Sequence, residues 1–293
     1  MKPHPGRFQA DLRASLENQG QRRNLAGAMR TIRNRRNERF SELPDGEALR
    51  ALGQGIKRRA LAQLPQLLEQ LEERLSARGI QVHWAETVEE ANRIVLDIAR
   101  RREVKLVVKG KSMVSEEMGL NAFLASEGIE ALEADLGEFI VQLAGQTPSH
   151  IVVPAVHMSR QEIARLFHEK LRTPYTEDVA ELTALARQVL REKFQAAGMG
   201  ITGVNFAVAE TGTLALVENE GNGRMVTTVP PVHVALMGLE KVVPTLADVP
   251  PLMRLLTRSA TGQAITTYFN WISSPRREGE RGPGRGLNSA MKS

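Results

Sequence analysis

The first forty residues are polar, with a sparse apolar stripe. Leu25, Met29, Ile32 and Phe40 recur near helical spacing among Arg22, Arg23, Arg30, Arg33, Arg35 and Arg36, which predicts an Arg-rich helix over 7–40. Pro44–Gly46 interrupts it. Leu49, Leu52, Ile56, Ala60, Leu64, Leu67 and Leu71 then restore the 3.6-residue period over 47–77, with Pro65 placed to start a new helix or kink this one, and Gly79 to end it. After Gly79 short apolar runs alternate with amphipathic stretches. Strands are predicted at 80–84 (IQVHW), 105–110 (KLVVKG), 129–137 (IEALEADLG) and 151–154 (IVVP). Helices are predicted from Val88, capped by Thr87 with Glu90 in the capping-box position, over 115–128, from Ser159 to Leu171, and over 177–197. Strands alternating with helices predict an α/β fold with a largely parallel sheet.

The last third changes texture. From Gly198 to Pro244 the chain is dense in Gly, Thr, Asn and Glu between short apolar segments. AVAETG (207–212) and TLALVENEG (213–221) read as a hairpin or paired strands, followed by strands at 225–230 (MVTTVP) and 233–244 (HVALMGLEKVVP) and a helix after Asp248, from about Pro251 to Arg258. Beyond Ser273 a Gly/Pro/Arg stretch without apolar periodicity is expected to be disordered. The division is a helical N-terminal extension (1–78), an α/β domain (79–274) and a tail (275–293).

Charge sharpens this division. Residues 1–60 hold 14 Lys/Arg against 6 Asp/Glu and residues 275–293 hold 5 against 2, so the net +5 of the chain leaves −6 for 61–274. The basic character belongs to the ends. A nucleic-acid arm is one reading of the N-terminal Arg cluster, but no RNP, zinc-finger or helix-turn-helix signature accompanies it and no aromatics interleave with the arginines. A solvated helix docked on its own body or on a partner subunit is the expectation. No window reaches the ~18 apolar residues of a membrane helix, and the N-terminus has no signal-peptide pattern, so a cytoplasmic location is expected. Cysteine is absent, which excludes disulfides, thiolate metal sites, a Cys nucleophile and a Cys-ligated cluster within these residues. With six His and no His-x-x-x-His pair, no metal site is expected.

Candidate chemistry falls on loops. Lys109, Lys111 and Ser112 follow a predicted strand and precede a helix, where open α/β sheets bind anions. Their spacing is not that of a P-loop. Glu210-Thr211-Gly212-Thr213 puts a carboxylate beside two hydroxyls at a turn, and Glu218 to Arg224 (ENEGNGR) puts two carboxylates, two amides and an Arg on a Gly-rich loop. Lys109, Lys111, Ser112, Thr211, Gly212, Thr213, Asn219, Gly221, Asn222 and Arg224 are the candidate anion-binding set. Glu210, Glu218, Glu220 and His233 are the candidate catalytic groups, with His157 a further acid/base candidate. Structural uses compete at each: turn capping at 210–213 and a polar hairpin loop at 218–224.

The strings KGKSMVSEEMGLN, GITGVNFAVAETGTLALVENEGNGRMVTTVPPVHVALMG and TGQAITTYFNWIS resemble the LUD domain of the lactate utilization protein B family, from about Arg13 to Ser274. The resemblance implies a Rossmann-like domain of the sugar-isomerase, CoA-transferase and formyltetrahydrofolate cyclo-ligase group. It also implies a subunit of an L-lactate-oxidising assembly that makes pyruvate, with other subunits of that assembly and a small anionic or carboxylate ligand as partners. Lys109, Lys111, Ser112, Glu210, Thr211, Gly212, Thr213, Glu218, Asn219, Glu220 and Asn222 match the family's motif-bearing loops. Family members normally continue into a ferredoxin-like domain whose cysteines bind 4Fe-4S clusters. This sequence has none and closes on GPGRGLNSAMKS, so the LUD portion alone, without a cofactor of its own, is the expectation. The alternative is an autonomous CoA-transferase or cyclo-ligase-like enzyme with Glu218 or Glu220 as the reacting carboxylate.

Overall fold

In a computed structural model of the chain, residues 8–146, 148 and 153–275 are described here. The N-terminal third is helical: α1 (Phe8–Glu17), α2 (Gln19–Ser41), α3 (Gly46–Ala62) and α4 (Leu64–Ala77). Asn18 breaks the predicted first helix in two by capping α2, its side chain accepting from the Gln21 N–H. Pro65 sits in the first turn of α4, where its missing N–H costs nothing.

Next come α5 (Val88–Arg101), β1 (Leu106–Lys109), α6 (Met113–Glu117), α7 (Leu120–Ser126), β2 (Glu130–Glu133), α8 (Leu136–Leu143), α9 (Arg160–Leu171) and α10 (Val179–Ala196). The remainder runs β3 (Met199–Gly203), β4 (Phe206–Val208), β5 (Thr213–Glu218), α11 (Asn222–Thr228), β6 (Val232–Leu236), β7 (Val242–Val243), α12 (Val249–Thr261) and β8 (Tyr268–Ile272). Two four-stranded sheets result. One has the order β2-β1-β3-β6 and is parallel throughout; the other has the order β7-β4-β5-β8 and is mixed.

The parallel sheet is covered on both faces, as βαβ connections require. Val107, Met199 and Ile201 point to one side and pack on Val95, Leu96 and Ala99 of α5 and Leu120 and Leu124 of α7. Leu106 and Val108 point to the other and pack on Phe194 of α10 and Val226 of α11. Such fully buried aliphatic side chains contribute about 1.5–3 kcal/mol each. α11 approaches β3 so closely that a Cβ on Gly200 would lie 2.1 Å from the Val226 carbonyl oxygen, so only glycine fits there. The second sheet buries Ile56 and Ala60 of α3 and Leu67, Leu71 and Leu75 of α4, so these two helices share its core. α2 lies against α12: the Arg258 Nε donates to the Arg39 carbonyl oxygen at 3.3 Å. The Arg-rich helix is thus docked on its own body, with Arg22, Arg23, Arg30, Arg33 and Arg35 turned to solvent.

The sequence expectations hold for the parallel α/β core, the Thr87 and Ser159 caps and the 206–218 hairpin. The structure corrects others besides the division of the first helix. Residues 80–84 join no ladder: Ile80 and Val82 pack on the second sheet's core while the backbone has no partner strand. The helix predicted at 115–128 is broken by Gly119, which takes φ +61°. The strand at 129–137 ends at Glu133, because Asp135 turns the chain by capping α8. Residues 225–230, expected as a strand, begin inside α11 and end in a bend, since Gly221 at φ +79° starts a helix there. The run 233–244 divides into β6, a 3-10 turn and β7. Of the predicted strand 151–154, residues 151 and 152 lie outside the described residues and 153–154 are not strand; the expected tail beyond 275 also lies outside them.

Candidate functional site

The carboxyl ends of β1, β2 and β3 open on one edge of the parallel sheet, and the loop between β5 and α11 crosses that edge. Asn222 Nδ2 donates to the Ala134 carbonyl oxygen at 3.2 Å, just past β2, and Gly223 lies against Gly110, just past β1. The Lys109–Ser112 loop and the 218–224 loop are therefore neighbours, as ligand loops at such an edge should be.

Within that rim the side chains have distinct jobs. Lys109 turns inward: its Nζ meets Glu133 Oε1 at 2.6 Å and Glu116 Oε1 at 3.4 Å, and its side chain is 1% exposed. It is a buried ion-pair partner, not an anion-facing group. Lys111 stays at the surface and pairs with Asp135 Oδ2 at 2.8 Å. Ser112 caps α6, its Oγ accepting from the Ser115 N–H at 3.3 Å.

Glu218 caps α11. Its carboxylate accepts the Gly223 N–H at 2.5 Å, the Arg224 N–H at 2.7 Å and the Asn270 side-chain amide at 2.7 Å. The first turn of α11 is thus supplied with an anion by the chain itself, where an external phosphate or carboxylate would otherwise sit. A carboxylate committed to three donors is a poor nucleophile, which removes Glu218 from the candidate catalytic groups. Glu220 is different. It is exposed at the rim, and its carboxyl is pushed above the usual range, first by loss of hydration against the protein surface and then by the Asp135 charge.

The segment 263–268 straps the loop from outside. Asn219 Oδ1 accepts from the Thr267 N–H at 3.1 Å and its amide donates to Gln263 at 2.8 Å, while Thr266 Oγ1 donates to the Glu218 carbonyl oxygen at 2.8 Å. Arg224 lays its guanidinium 5.1 Å from the Tyr268 ring centroid, and that ring also covers Gly221. Asn219 and Gly221 therefore shape the loop; Glu220 and Arg224 are exposed on it, with Asn222 and Lys111, both half-buried, beside Glu220.

Glu210-Thr211-Gly212-Thr213 lies elsewhere. It closes the opposite end of β5, about 17 Å away for a strand of this length. Gly212 at φ +59° fits against the Arg74 backbone, Thr211 Oγ1 donates to Thr213 Oγ1 at 3.0 Å, and Glu210 accepts the Leu246 N–H at 2.9 Å. These four residues hold a turn together and do not join the rim.

The two histidines also separate. His233 on β6 bonds through Nε2 to Thr202 Oγ1 at 2.9 Å, and burial lowers it to about 4, so it is neutral at ordinary pH. Thr202 in turn touches Gly110, which puts this pair just beneath the rim. His157 lies instead by α2 and the approach to α9, bonded to Gln146 and held low chiefly by burial.

The LUD domain family model matches residues 68–282. The chain belongs to the LUD domain family. It is 42% identical over 281 residues to lactate utilization protein B of Bacillus subtilis (strain 168), covering 96% of this chain and 59% of that protein. It is 43% identical over 272 residues to "Uncharacterized electron transport protein YkgF" of Escherichia coli (strain K12), covering 93% of this chain and 57% of that one. The chain therefore spans less than two thirds of the length of these relatives. A crystal structure of a DUF162 family protein from Deinococcus radiodurans aligns at 16% identity and a TM-score of 0.39, over 72% of this chain and 88% of that one. At that score the fold assignment rests on the sheet topology above.

Membership of this family raises the question of an iron–sulfur cluster, and the donor set does not fit one. The sequence has no cysteine, and among the described residues no group of three or more His, Cys, Asp or Glu is placed to hold a metal ion. Among the described residues no helix is long and apolar enough to cross a membrane.

Sequence reasoning missed Glu133, Asp135, Glu138 and the 263–268 strap. The first three announced themselves only as acids within apolar runs, LEADLGEFIV, a pattern that a solvated helix or strand end produces equally well. The strap carries Thr, Gln and Tyr at positions that gain meaning only when β8 folds back on β5.

Proposed function

We propose that this LUD domain forms the ligand-facing part of a subunit in an L-lactate-oxidising redox complex that makes pyruvate. It binds a small carboxylate at the rim of the parallel sheet. The relation to lactate utilization protein B over 96% of the chain carries this reading. The rim supports it. Lys111 and Arg224 supply positive charge beside the loop, Asn222 holds the loop to the Ala134 carbonyl oxygen and to Glu220, and Glu220 takes up or gives a proton nearby. Arg224, already oriented by Tyr268, matches a carboxylate in shape and charge. These residues contain no cysteine, so electron transfer through a Cys-ligated cluster lies outside them. The solvent-facing arginines of α2 form the surface on which such subunits dock.

The test is reconstitution. Lactate-dependent dye reduction is expected only when the other subunits are added, and the double replacement of Lys111 and Arg224 by Ala should raise KM for lactate at least tenfold. Turnover by the isolated chain would overturn the reading.

A second reading, an acyl-CoA transferase or cyclo-ligase-like enzyme working alone, now rests on Glu220. Glu218 is occupied as a helix cap, whereas Glu220 faces the open side with its carboxyl raised. Hydroxylamine trapping after incubation with acyl-CoA would label Glu220 if that reading holds, and would find no thioester under the first.

A further inference from the structure

Beneath the rim lies a charged cluster that neither reading uses. Glu133 ends β2, Glu138 lies in the first turn of α8, and both are buried beside Lys109. We propose that Glu133 and Glu138 hold one proton between them and form a buried acid–base site at the carboxyl edge of the parallel sheet, with Lys109 and Glu116 as its connection to solvent.

The hydrogen bonds carry the argument. Glu133 Oε1 is doubly served, by Lys109 Nζ at 2.6 Å and by the Asn121 side-chain amide at 2.6 Å. Its other oxygen, Oε2, meets no donor, and neither does Oε2 of Glu138. Both oxygens are buried, and the two carboxyl groups are in hydrogen-bonding contact with each other. An ionised carboxylate can only accept. Two of them in contact away from water would repel at close range with little screening. One proton between them converts that repulsion into a hydrogen bond and satisfies both orphaned oxygens, as in other carboxyl pairs that share a site.

The surroundings favour this arrangement from every side. Asp135, at the start of α8, adds a negative charge, and Lys111 opposite it partly compensates. The α8 N-terminus does not stabilise a charged Glu138 through its side chain, because Asp135 Oδ1 already accepts the Glu138 N–H at 3.1 Å. Helices α9 and α10 contribute Ala164, Phe167, Leu182 and Ala186, all apolar, to the packing of α8. Burial first, then the Glu133 and Asp135 charges, raise Glu138 to about 9. With one shared proton, the buried Lys109 faces a pair carrying a single negative charge, so the buried trio Lys109, Glu133 and Glu138 carries no net charge.

The route outward is visible in the exposures. Side-chain exposure is 4% at Glu133, 1% at Lys109 and 37% at Glu116, so the chain Glu138–Glu133–Lys109–Glu116 leads from the interior to water. Lys109 has three N–H donors and spans the step between the two glutamates. At neutral pH the pair offers a carboxylic acid and a carboxylate side by side. It stands apart from the rim reading, and a rim that bound nothing would leave it intact.

Infrared titration of the full chain tests it by following the carboxylic-acid C=O stretch. One such band is expected to persist between about pH 6 and pH 8, below the value for Glu138. Glu138→Gln, which keeps a neutral donor in place, should remove that band while the protein stays folded. Glu133→Gln should keep the band but make it vanish at lower pH, since the neighbouring charge is gone. If that variant fails to fold because Lys109 has lost its partner, the Glu138→Gln comparison decides alone. Absence of the band at pH 7 in the folded chain, or a band that Glu138→Gln leaves unchanged, would overturn the proposal.

Discussion

Replacing Glu218 tests whether its carboxylate is a helix cap. Glu218→Ala removes the acceptor of the Gly223 N–H at 2.5 Å, the Arg224 N–H at 2.7 Å and the Asn270 amide at 2.7 Å. Hydrogen bonds to a charged group contribute about 1.5–3 kcal/mol each where water cannot replace them. Glu218 is only half-buried, so water recovers part of each. A loss of about 2–4 kcal/mol follows, of which about 0.3–1 kcal/mol is the charge at the helix N-terminus. Glu218→Gln keeps one acceptor oxygen and should cost about half as much, ~1–2 kcal/mol. At an unfolding entropy of ~2.1 cal/mol/K per residue, the alanine variant should melt about 3–6 °C lower. Urea unfolding gives the free-energy difference, and amide exchange gives its place: protection should fall first at Gly223 and Arg224. An alanine variant within about 0.5 kcal/mol of the parent, or unchanged protection at those two amides, would refute the cap.

Other outcomes follow from the same geometry. Gly200→Ala would drive a Cβ to 2.1 Å from the Val226 carbonyl oxygen, a backbone atom that cannot swing aside; a loss above about 3 kcal/mol in urea unfolding is expected. Glu138, raised to about 9 when folded, binds a proton that the unfolded chain gives up above 4.5, so its share of stability is complete below 4.5 and is lost as pH rises toward 9. His233, lowered to about 4 when folded, acts oppositely: the unfolded chain takes its proton below 6.5, so stability falls as pH drops from 6.5 toward 4. The two therefore oppose each other between about 4.5 and 6.5, and stability declines as pH rises above 6.5 toward 9. Glu138→Gln should abolish that decline, which urea unfolding across pH would measure. Arg258→Met removes the bonds to the Arg39, Arg254 and Ala264 carbonyl oxygens and should loosen α2, seen as faster proteolysis between residues 19 and 41 with the sheet core intact.

Much of this architecture is legible in the residues because local rules agree with tertiary packing. Ser159 with Glu162 and Thr87 before Glu90 satisfy orphaned helix N–H groups wherever the helix goes, so they survive folding unchanged. The Lys-Leu-Val-Val-Lys run could only be a buried strand once helices were found on both sides of it. Failure came where the decisive partner lies far along the chain. Met225 to Val229 has the β-branched content of a strand, but Gly223 and Gly200 let that segment coil against β3 as α11. Ile80 and Val82 alternate like a strand, yet what they gain is burial against the second sheet's core and not a ladder.

The site was half legible for the same reason. Residues 210–213 and 218–224 look like one polar cluster in sequence, but β5 holds them at its two ends. Lys109 and Lys111 look equivalent, yet Lys109 is the last residue of β1 and reaches into the interior toward Glu133, while Lys111 lies past the strand end and pairs with Asp135 at the edge. Glu218 reads as a reactive carboxylate until α11 is seen to begin four residues later and to need an anion at its first turn.

The central claim is that a small carboxylate binds at the rim formed by Lys111, Glu220, Asn222 and Arg224. Titrating L-lactate into the isotope-labelled full chain, and following backbone amides by NMR at low and then raised salt, tests it most directly. The account predicts saturable shifts concentrated at 110–112 and 220–224, weakened by salt and lost in the Lys111→Ala, Arg224→Ala double variant. No shifts at millimolar lactate, or shifts centred on the 210–213 turn at the other end of β5, would contradict it.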